Sequence, residues 1–226
     1  MSHYAFTFHG EKLHALASGT LFWPAQNLLC VSDLHFGKAQ RYAQHGSSAL
    51  PPYETLDTLN RLDRDVTATG ATTVVCLGDS FDRLAASDEL HDEARAWIAR
   101  LQAGRQWVWI EGNHDPGPIS IGGSHMAELA KGPIVFRHIA RPEARGEISG
   151  HYHPKVAIDL AARRVTRRCM VLDENRIVMP AYGTYTGGMS VTKEPLFSLF
   201  NDPALCVLSG ASKALAMPRP ALKRLR

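Results

Sequence analysis

The chain has no apolar run near the ~20 residues that a membrane-spanning helix needs, so no helical span and no membrane association are expected. Cysteine is scarce: Cys30, Cys76, Cys169 and Cys206 are far apart and lack the close pairing of a thiolate zinc site. That argues against a disulfide scaffold and for buried, reduced thiols. The first residues, Met1-Ser2-His3-Tyr4, show no basic stretch followed by an apolar one, so no signal peptide is read and a cytoplasmic location is expected. Strong net charge is missing too. Twenty-five Lys and Arg stand against 22 Asp and Glu, which permits an anionic partner without demanding one. What the chain does have is histidine, 11 in 226 residues, and several sit beside aspartates.

With 45% hydrophobic and 21% charged residues the composition is that of an ordinary globular protein. A chain of this length buries roughly 70–75% of its unfolded surface and needs no covalent staples. One domain over 1–209 is expected, followed by an Ala-, Pro-, Lys- and Arg-rich segment, 210–226, read as a mobile basic tail.

Residues 5–8 and 12–16 alternate around Gly10-Glu11 as a hairpin, 20–23 add a strand before Pro24, and 27–32 form the first strongly buried strand. A helix over 38–44 stops at Gly46. A second starts at Pro51-Pro52 and runs to about Thr69, with Leu56, Leu59, Leu62 and Val66 on one stripe and Gly70 closing it. Strand 73–77, a helix near 88–103 and strand 106–110 complete three βα units, which argues for a parallel sheet. Strands 134–138, 146–150, 155–160, 164–171 and 175–179 then follow with little helix between them, as a second sheet packed on the first. A Gly/Tyr/Thr-rich loop covers 180–189, and 205–209 is a last strand. Alternation along 164–171 splits Arg163, Arg164, Arg167 and Arg168 between two faces, so they are not read as one basic patch.

Polar residues recur where these strands end. Asp33-Leu34-His35, Gly78-Asp79-Ser80-Phe81-Asp82, Gly112-Asn113-His114-Asp115, the lone His138 and Gly150-His151-Tyr152-His153 offer aspartates, an amide oxygen and imidazoles. The carboxyl edge of an open α/β sheet is where such folds build sites. A mixed N/O set without thiolate suits Mn²⁺, Fe or Zn²⁺ better than Ca²⁺ or Cu⁺. Asp33, His35, Asp79, Asn113, His138, His151 and His153 exceed the needs of one tetrahedral ion. They suit two divalent ions roughly 3.5–4 Å apart sharing a carboxylate. His125 rivals His138, but a strand at 134–136 delivers His138, whereas His125 lies in a Gly-Gly-Ser stretch read as a loop.

The order D-x-H, G-D-x-x-D, G-N-H-D, lone H, G-H-x-H resembles the calcineurin-like metallophosphoesterases across residues 33–153. The resemblance implies an α/β sandwich of two mixed sheets flanked by helices. It implies one ion on Asp33, His35, Asp79 and His153, and a second on Asp79, Asn113, His138 and His151, with Asp79 bridging. The implied chemistry is direct hydrolysis of a phosphate ester, with His114 as general acid and Asp82 orienting His114. Asp115 is read as holding its turn rather than binding metal, and Lys38 as a candidate contact for substrate phosphate.

Leu21-Phe22-Trp23-Pro24, Asp33 to Lys38 and Pro180 to Met189 extend the likeness to the bacterial PdeM-like ligase-associated DNA damage response endonucleases. That similarity implies a manganese-dependent phosphodiesterase acting on DNA in repair. It also implies an ATP-dependent DNA ligase, a helicase and an exonuclease-like protein as partners. Two alternatives stand beside it: a phosphatase or small-nucleotide phosphodiesterase on the same scaffold, and an assembly module with structural metals.

Overall fold

The computed structural model describes residues 2–44, 51, 53–161 and 163–221; Gly46 and Pro52, assigned above to helix boundaries, lie outside them. A hairpin of β1 (His3–Phe8) and β2 (Glu11–Leu16) opens the chain, and β3 (Leu21–Trp23) and β4 (Leu28–Val31) extend it antiparallel. Helices α1 (Lys38–Gln44) and α2 (Glu54–Thr69) lead to β5 (Thr73–Leu77). Helix α3 (Asp92–Gln102) leads to β6 (Gln106–Ile110), and β7 (Ser124–Met126) closes the first sheet. Its order is β1-β2-β3-β4-β5-β6-β7, antiparallel as far as β4 and parallel from there on.

The second sheet is built from β8 (Glu128–Lys131), β9 (Ile134–Arg137), β10 (Glu147–Ser149), β11 (Pro154–Leu160), β12 (Arg163–Leu172), β13 (Arg176–Val178) and β14 (Met189–Ser190). Strands β15 (Leu205–Leu208) and β16 (Leu215–Pro218) add to it through β12. Parallel pairs β9/β10, β10/β13 and β11/β14 sit among antiparallel ones, so both sheets are mixed.

Period-2 alternation explains how these strands stack. In β4 to β6, Leu28, Cys30, Val75, Leu77, Val108 and Ile110 turn toward the second sheet and meet Ile134, Phe136, Ile148 and Ile177. Their neighbours Leu29, Val31, Val74, Cys76, Trp107 and Trp109 turn the other way, onto Leu59, Leu62 and Val66 of α2 and Ile98 and Leu101 of α3. A strand buried on both faces reads as an unbroken apolar run, which is how 73–77 and 106–110 were recognisable. At about 1.5–3 kcal/mol per fully buried aliphatic side chain, these two layers supply most of the drive to fold. The outer face of the second sheet carries no α-helix among the described residues, only the 3₁₀ turn Phe197–Leu199. Leu196, Phe200 and Ala204 cover it instead, packed on Val156, Val171 and Val178. All four cysteines are buried and unpaired.

The third helix starts later than the sequence indicates. Leu84–Ser87 form a 3₁₀ turn, and Arg95 donates to the carbonyls of Ser87 and Leu90, tying that turn to the helix's first residues. Strands β7, β8 and β14 have no counterpart in the sequence reading. Each has four residues or fewer and is at best half-buried, so it leaves no apolar run to find. His125 therefore sits on a strand, not a loop.

The tail assignment also changes. Leu215–Pro218 pair with β15, and the buried Arg219 stacks on Phe197 at 4.2 Å while donating to Phe197 O and Asp202 Oδ1. Lys223, Arg224 and Arg226 lie outside the described residues.

Candidate metal centre

Every motif falls where a strand ends. β4 delivers Asp33 and His35, β5 delivers Asp79 and Asp82, β6 delivers Asn113 and His114, β9 delivers His138, and β10 delivers His151 and His153. The parallel neighbours β4, β5 and β6 end on the same side, as do β9 and β10, and the two packed sheets bring these ends together.

The backbone is bent hard to do this. Asp33, His35, Asp79, His151 and His153 all adopt positive φ, between 47° and 69°. Non-glycine residues rarely enter that region, and at about 1–3 kcal/mol each the cost persists only where surrounding structure enforces it. Gly78, at φ +71°, is required as glycine, because a Cβ there would press into the His138 ring.

Three groups of candidate ligand atoms result, each with its atoms within 4.8 Å of one another. The first joins Asp33, His35 and His153, the second Asp79, His138 and His151, and the third shares His35 with the first and adds Asp82 and His114. In the first, His153 Nε2 lies 3.0 Å from Asp33 Oδ1. In the second, His138 Nε2 lies 3.3 Å from Asp79 Oδ2 and 3.0 Å from Asn113 Oδ1. The first two adjoin: His138 Nδ1 is 4.0 Å from Asp33 Oδ1. His35 packs edge-on against both His114 and His153, at 5.1 and 5.3 Å between ring centres. All seven residues proposed from the sequence as ligands thus lie in one site, whereas His125 stacks on Trp109 outside all three groups.

The donor chemistry fits cations. His138 Nδ1 is 2.8 Å from the Leu77 carbonyl, so that nitrogen carries the proton and donates it. Nε2 then faces two oxygens, from Asp79 and Asn113, that are both acceptors. Three acceptors pointing at one another are stable only with a proton or a cation between them. Without a cation, burial pulls His138 down, but the hydrogen bond to Asp79 and the charges of Asp33 and Asp79 outweigh it and lift the group to about 9. Burial likewise opposes ionisation of Asp79, yet its bonds to His138 and to the His114 N–H bring it down to about 2. Asp33 is also held below the usual carboxylate range, with burial outweighed by His153 and its neighbours. Burial and the nearby His138 pull His151 down, which suits a neutral imidazole ligand. Nε2 of His35 is buried without a hydrogen-bond partner among the described residues. Buried polar atoms are seldom left so, and a bound ion would satisfy this one.

Supporting groups hold the ligands in place. Asp33 accepts from the Ser32 hydroxyl and the His151 N–H. Tyr182 N and Gly183 N donate to the carbonyls of Ser32 and Asp33. Arg168 in turn donates to the carbonyls of Ala181, Gly183 and Thr184, bracing that loop from below. Tyr182 is structural: its ring lies under Arg61 at 4.5 Å and its hydroxyl donates to Asp65. Asp115 holds its turn, as read from the sequence. Its carboxylate accepts from the N–H groups of Asp79, Ser80, Phe81 and Gly112, locking the Gly78–Asp82 and Gly112–Asp115 loops together. Burial, reinforced by the charge of Asp79, pushes Asp115 up to about 6 in spite of those bonds.

Asp82 departs from its expected role. It does orient His114, but through its backbone carbonyl, 2.8 Å from His114 Nδ1. Its carboxylate lies 3.5 Å from His35 Nδ1 and 4.0 Å from Lys38 Nζ, pairs with Arg41, and keeps one oxygen within 4.8 Å of a His114 ring nitrogen. Two cations and an imidazole hold the carboxylate there, so it positions a candidate ligand rather than the acid. Burial works against its ionisation, but His35, Arg41 and Lys38 keep it below the ordinary value. Lys38 therefore stands at the site with its charge on Asp82. Arg41 escaped the sequence reading; its spacing of three from Lys38 on α1 was the available signal.

The profile of the calcineurin-like phosphoesterases matches residues 27–164, more than half of the chain. The chain belongs to the calcineurin-like phosphoesterase family. It is a metal-dependent phosphoesterase of a family that uses a dinuclear metal site, and its structure offers candidate metal-ligand groups. No curated protein sequence matches it. Among solved structures it is similar to the Pseudomonas putida nuclease MPE, with a TM-score of 0.74 and 28% identity over 95% of this chain and 100% of that one.

Proposed function

We propose that this phosphoesterase is a manganese-dependent nuclease that cuts phosphodiester bonds in DNA, in the cytoplasm and in the service of repair. The observation that carries this reading is the placement of His114 beside the first two groups of candidate ligands. Its ring is more than a third exposed, with Nδ1 on the Asp82 carbonyl and Nε2 4.0 Å from Asp79 Oδ2. Two bound cations would acidify a water and offset charge on the phosphate oxygens. Asp33, His35 and His153 would hold one ion, and Asp79, Asn113, His138 and His151 the other. His114, with Nδ1–H given to the carbonyl, presents Nε2 toward the cleft and donates a proton there to the departing ester oxygen.

Support for DNA as substrate comes from the full-length likeness to a nuclease and from the PdeM-like segments. The PdeM-like segments motivate an ATP-dependent DNA ligase, a helicase and an exonuclease-like protein as partners, and the place of Lys38 just past the first metal motif motivates a phosphate contact for it. Hydrolysis of an oligodeoxynucleotide and of bis-p-nitrophenyl phosphate, each with manganese and with chelator, tests the reading. Manganese-dependent cutting of both is expected. Turnover confined to phosphomonoesters would replace it with the phosphatase alternative.

A further inference from the structure

The metal centre opens in two directions, and they differ in charge. On one side a groove of about 470 Å³ runs past Asn113 and His138, and Glu111 and Glu128 line it. Its Arg137 and Arg141 are already engaged by Glu128. On the other side a groove of about 930 Å³ begins at His151 and His153 and continues over β11 and β12. Lys155, Arg164 and Lys193 line it, with no aspartate or glutamate among the described lining residues. Past Lys155 and Thr166 it joins a second hollow of about 500 Å³ that reaches Arg167, again without a carboxylate among the described lining residues.

The register explains why these side chains share a face. Ala157 pairs with Thr166, and Lys155 and Arg164 stand two residues from them on the same face, so these four turn into the groove, while Asp159, opposite Arg164, lies just past its far end. From His153 to the level of Arg164 the groove runs about 20 Å, at ~3.3 Å per strand residue. Arg164 makes one ion pair, with Asp159 at 3.6 Å. Both side chains are more than 60% exposed, and such a pair contributes little and exchanges readily for a phosphate. Lys155 and Lys193 make no ion pair among the described residues. Tyr152 stands in the groove wall, its ring edge-on to His151 at 5.0 Å. Aromatic faces beside a cationic groove are how single strands are held without sequence preference.

We infer that this groove, from His151 and His153 past Lys155 and Lys193 to Arg164, is the track for the phosphate backbone of a single nucleic-acid strand entering the site. The inference rests on the nuclease reading and adds the side from which the strand is held. A cavity of this size encloses a small ligand's worth of strand, not a duplex.

The test is the triple variant Lys155→Gln, Arg164→Gln, Lys193→Gln, which keeps polar side chains, though shorter ones, and removes three charges. Its melting temperature and manganese content are checked against the parent first. Binding of a single-stranded oligodeoxynucleotide is then measured across a salt series. The slope of log affinity against log salt should shallow by about 2, since each phosphate contact contributes about 0.7. The ratio of kcat/KM on the oligonucleotide to that on bis-p-nitrophenyl phosphate should fall about tenfold or more. Should the triple variant fold poorly, Arg164→Gln and Lys193→Gln singly should each shallow the slope by about 0.7. An unchanged slope and ratio would overturn the track. If the parent binds the strand with the stated salt dependence but does not cut it, the nuclease reading fails and the track stands. If the parent does not bind it, the track fails too.

Discussion

Asp115 gives the sharpest test of how this site is built. Each of its carboxylate oxygens accepts two backbone N–H groups: Oδ1 takes Asp79 and Gly112 at 2.9 and 3.1 Å, and Oδ2 takes Ser80 and Phe81 at 2.8 and 3.1 Å. Asp115→Asn changes one oxygen to an NH₂ with almost no change of shape. Whichever way the amide turns, two buried N–H donors then face a third donor. Leaving a buried donor unsatisfied costs about 1–3 kcal/mol, so the gross loss is about 2–6 kcal/mol. Burial already pushes Asp115 up to about 6, so a neutral side chain recovers part of that. A net loss of about 3 kcal/mol follows, a drop in melting temperature of about 6–12 °C for a chain of this size. The damage should also reach the metals, because the four donors belong to the loops carrying Asp79 and Asn113. Manganese affinity should fall while Asp115 itself touches no candidate ligand atom. Thermal melting with and without manganese, followed by titration of the ion, measures both. A variant that melts within about 2 °C of the parent and binds manganese equally well would refute the claim that this carboxylate ties the loops together.

His114→Ala should lower kcat on an oligonucleotide about 10²–10⁴-fold, with a much smaller loss on bis-p-nitrophenyl phosphate, whose leaving group needs no proton; equal losses would remove its role as acid. Gly78→Ala, which meets the His138 ring at a positive φ, should abolish binding of one of two manganese ions, readable as metal stoichiometry. In the metal-free protein the folded value of His138, about 9, lies above the unfolded 6.5. Its contribution is therefore complete below pH 6.5 and is lost as pH rises through 9, so apoprotein melting temperature should fall across that window. Manganese should displace that proton: below pH 9, calorimetry in buffers of differing ionisation enthalpy should detect its release. Absence of released protons would mean that His138 is not a ligand.

Much of the site was legible before any coordinates, because its residues cluster in short blocks at the ends of apolar runs. Val74-Val75-Cys76-Leu77 announces a buried strand whatever surrounds it, and Gly78-Asp79 marks where it must turn. His138 was reachable only through the strand before it, since one histidine has no local pattern. Other features could not be read this way. The edge strands β7, β8 and β14 owe their existence to neighbours that offer them hydrogen bonds, not to their own apolar content. β16 is the same case, fastened by β15 and by Arg219.

The sequence alone determined which atoms are available: carboxylates, imidazoles and one amide, each placed just beyond a strand by local pattern and turn chemistry. Only the tertiary structure decided where those atoms point. Asp82 meets His114 through its carbonyl and His35 through its carboxylate, because Arg41 and Lys38, on a separate helix, draw its charge. Arg168 went to carbonyls of the 181–184 loop, while Arg164, four residues away on the same strand face, was left at a groove. Periodicity tells which side of a strand a residue occupies, but the charge it meets there comes from chain that is remote in sequence.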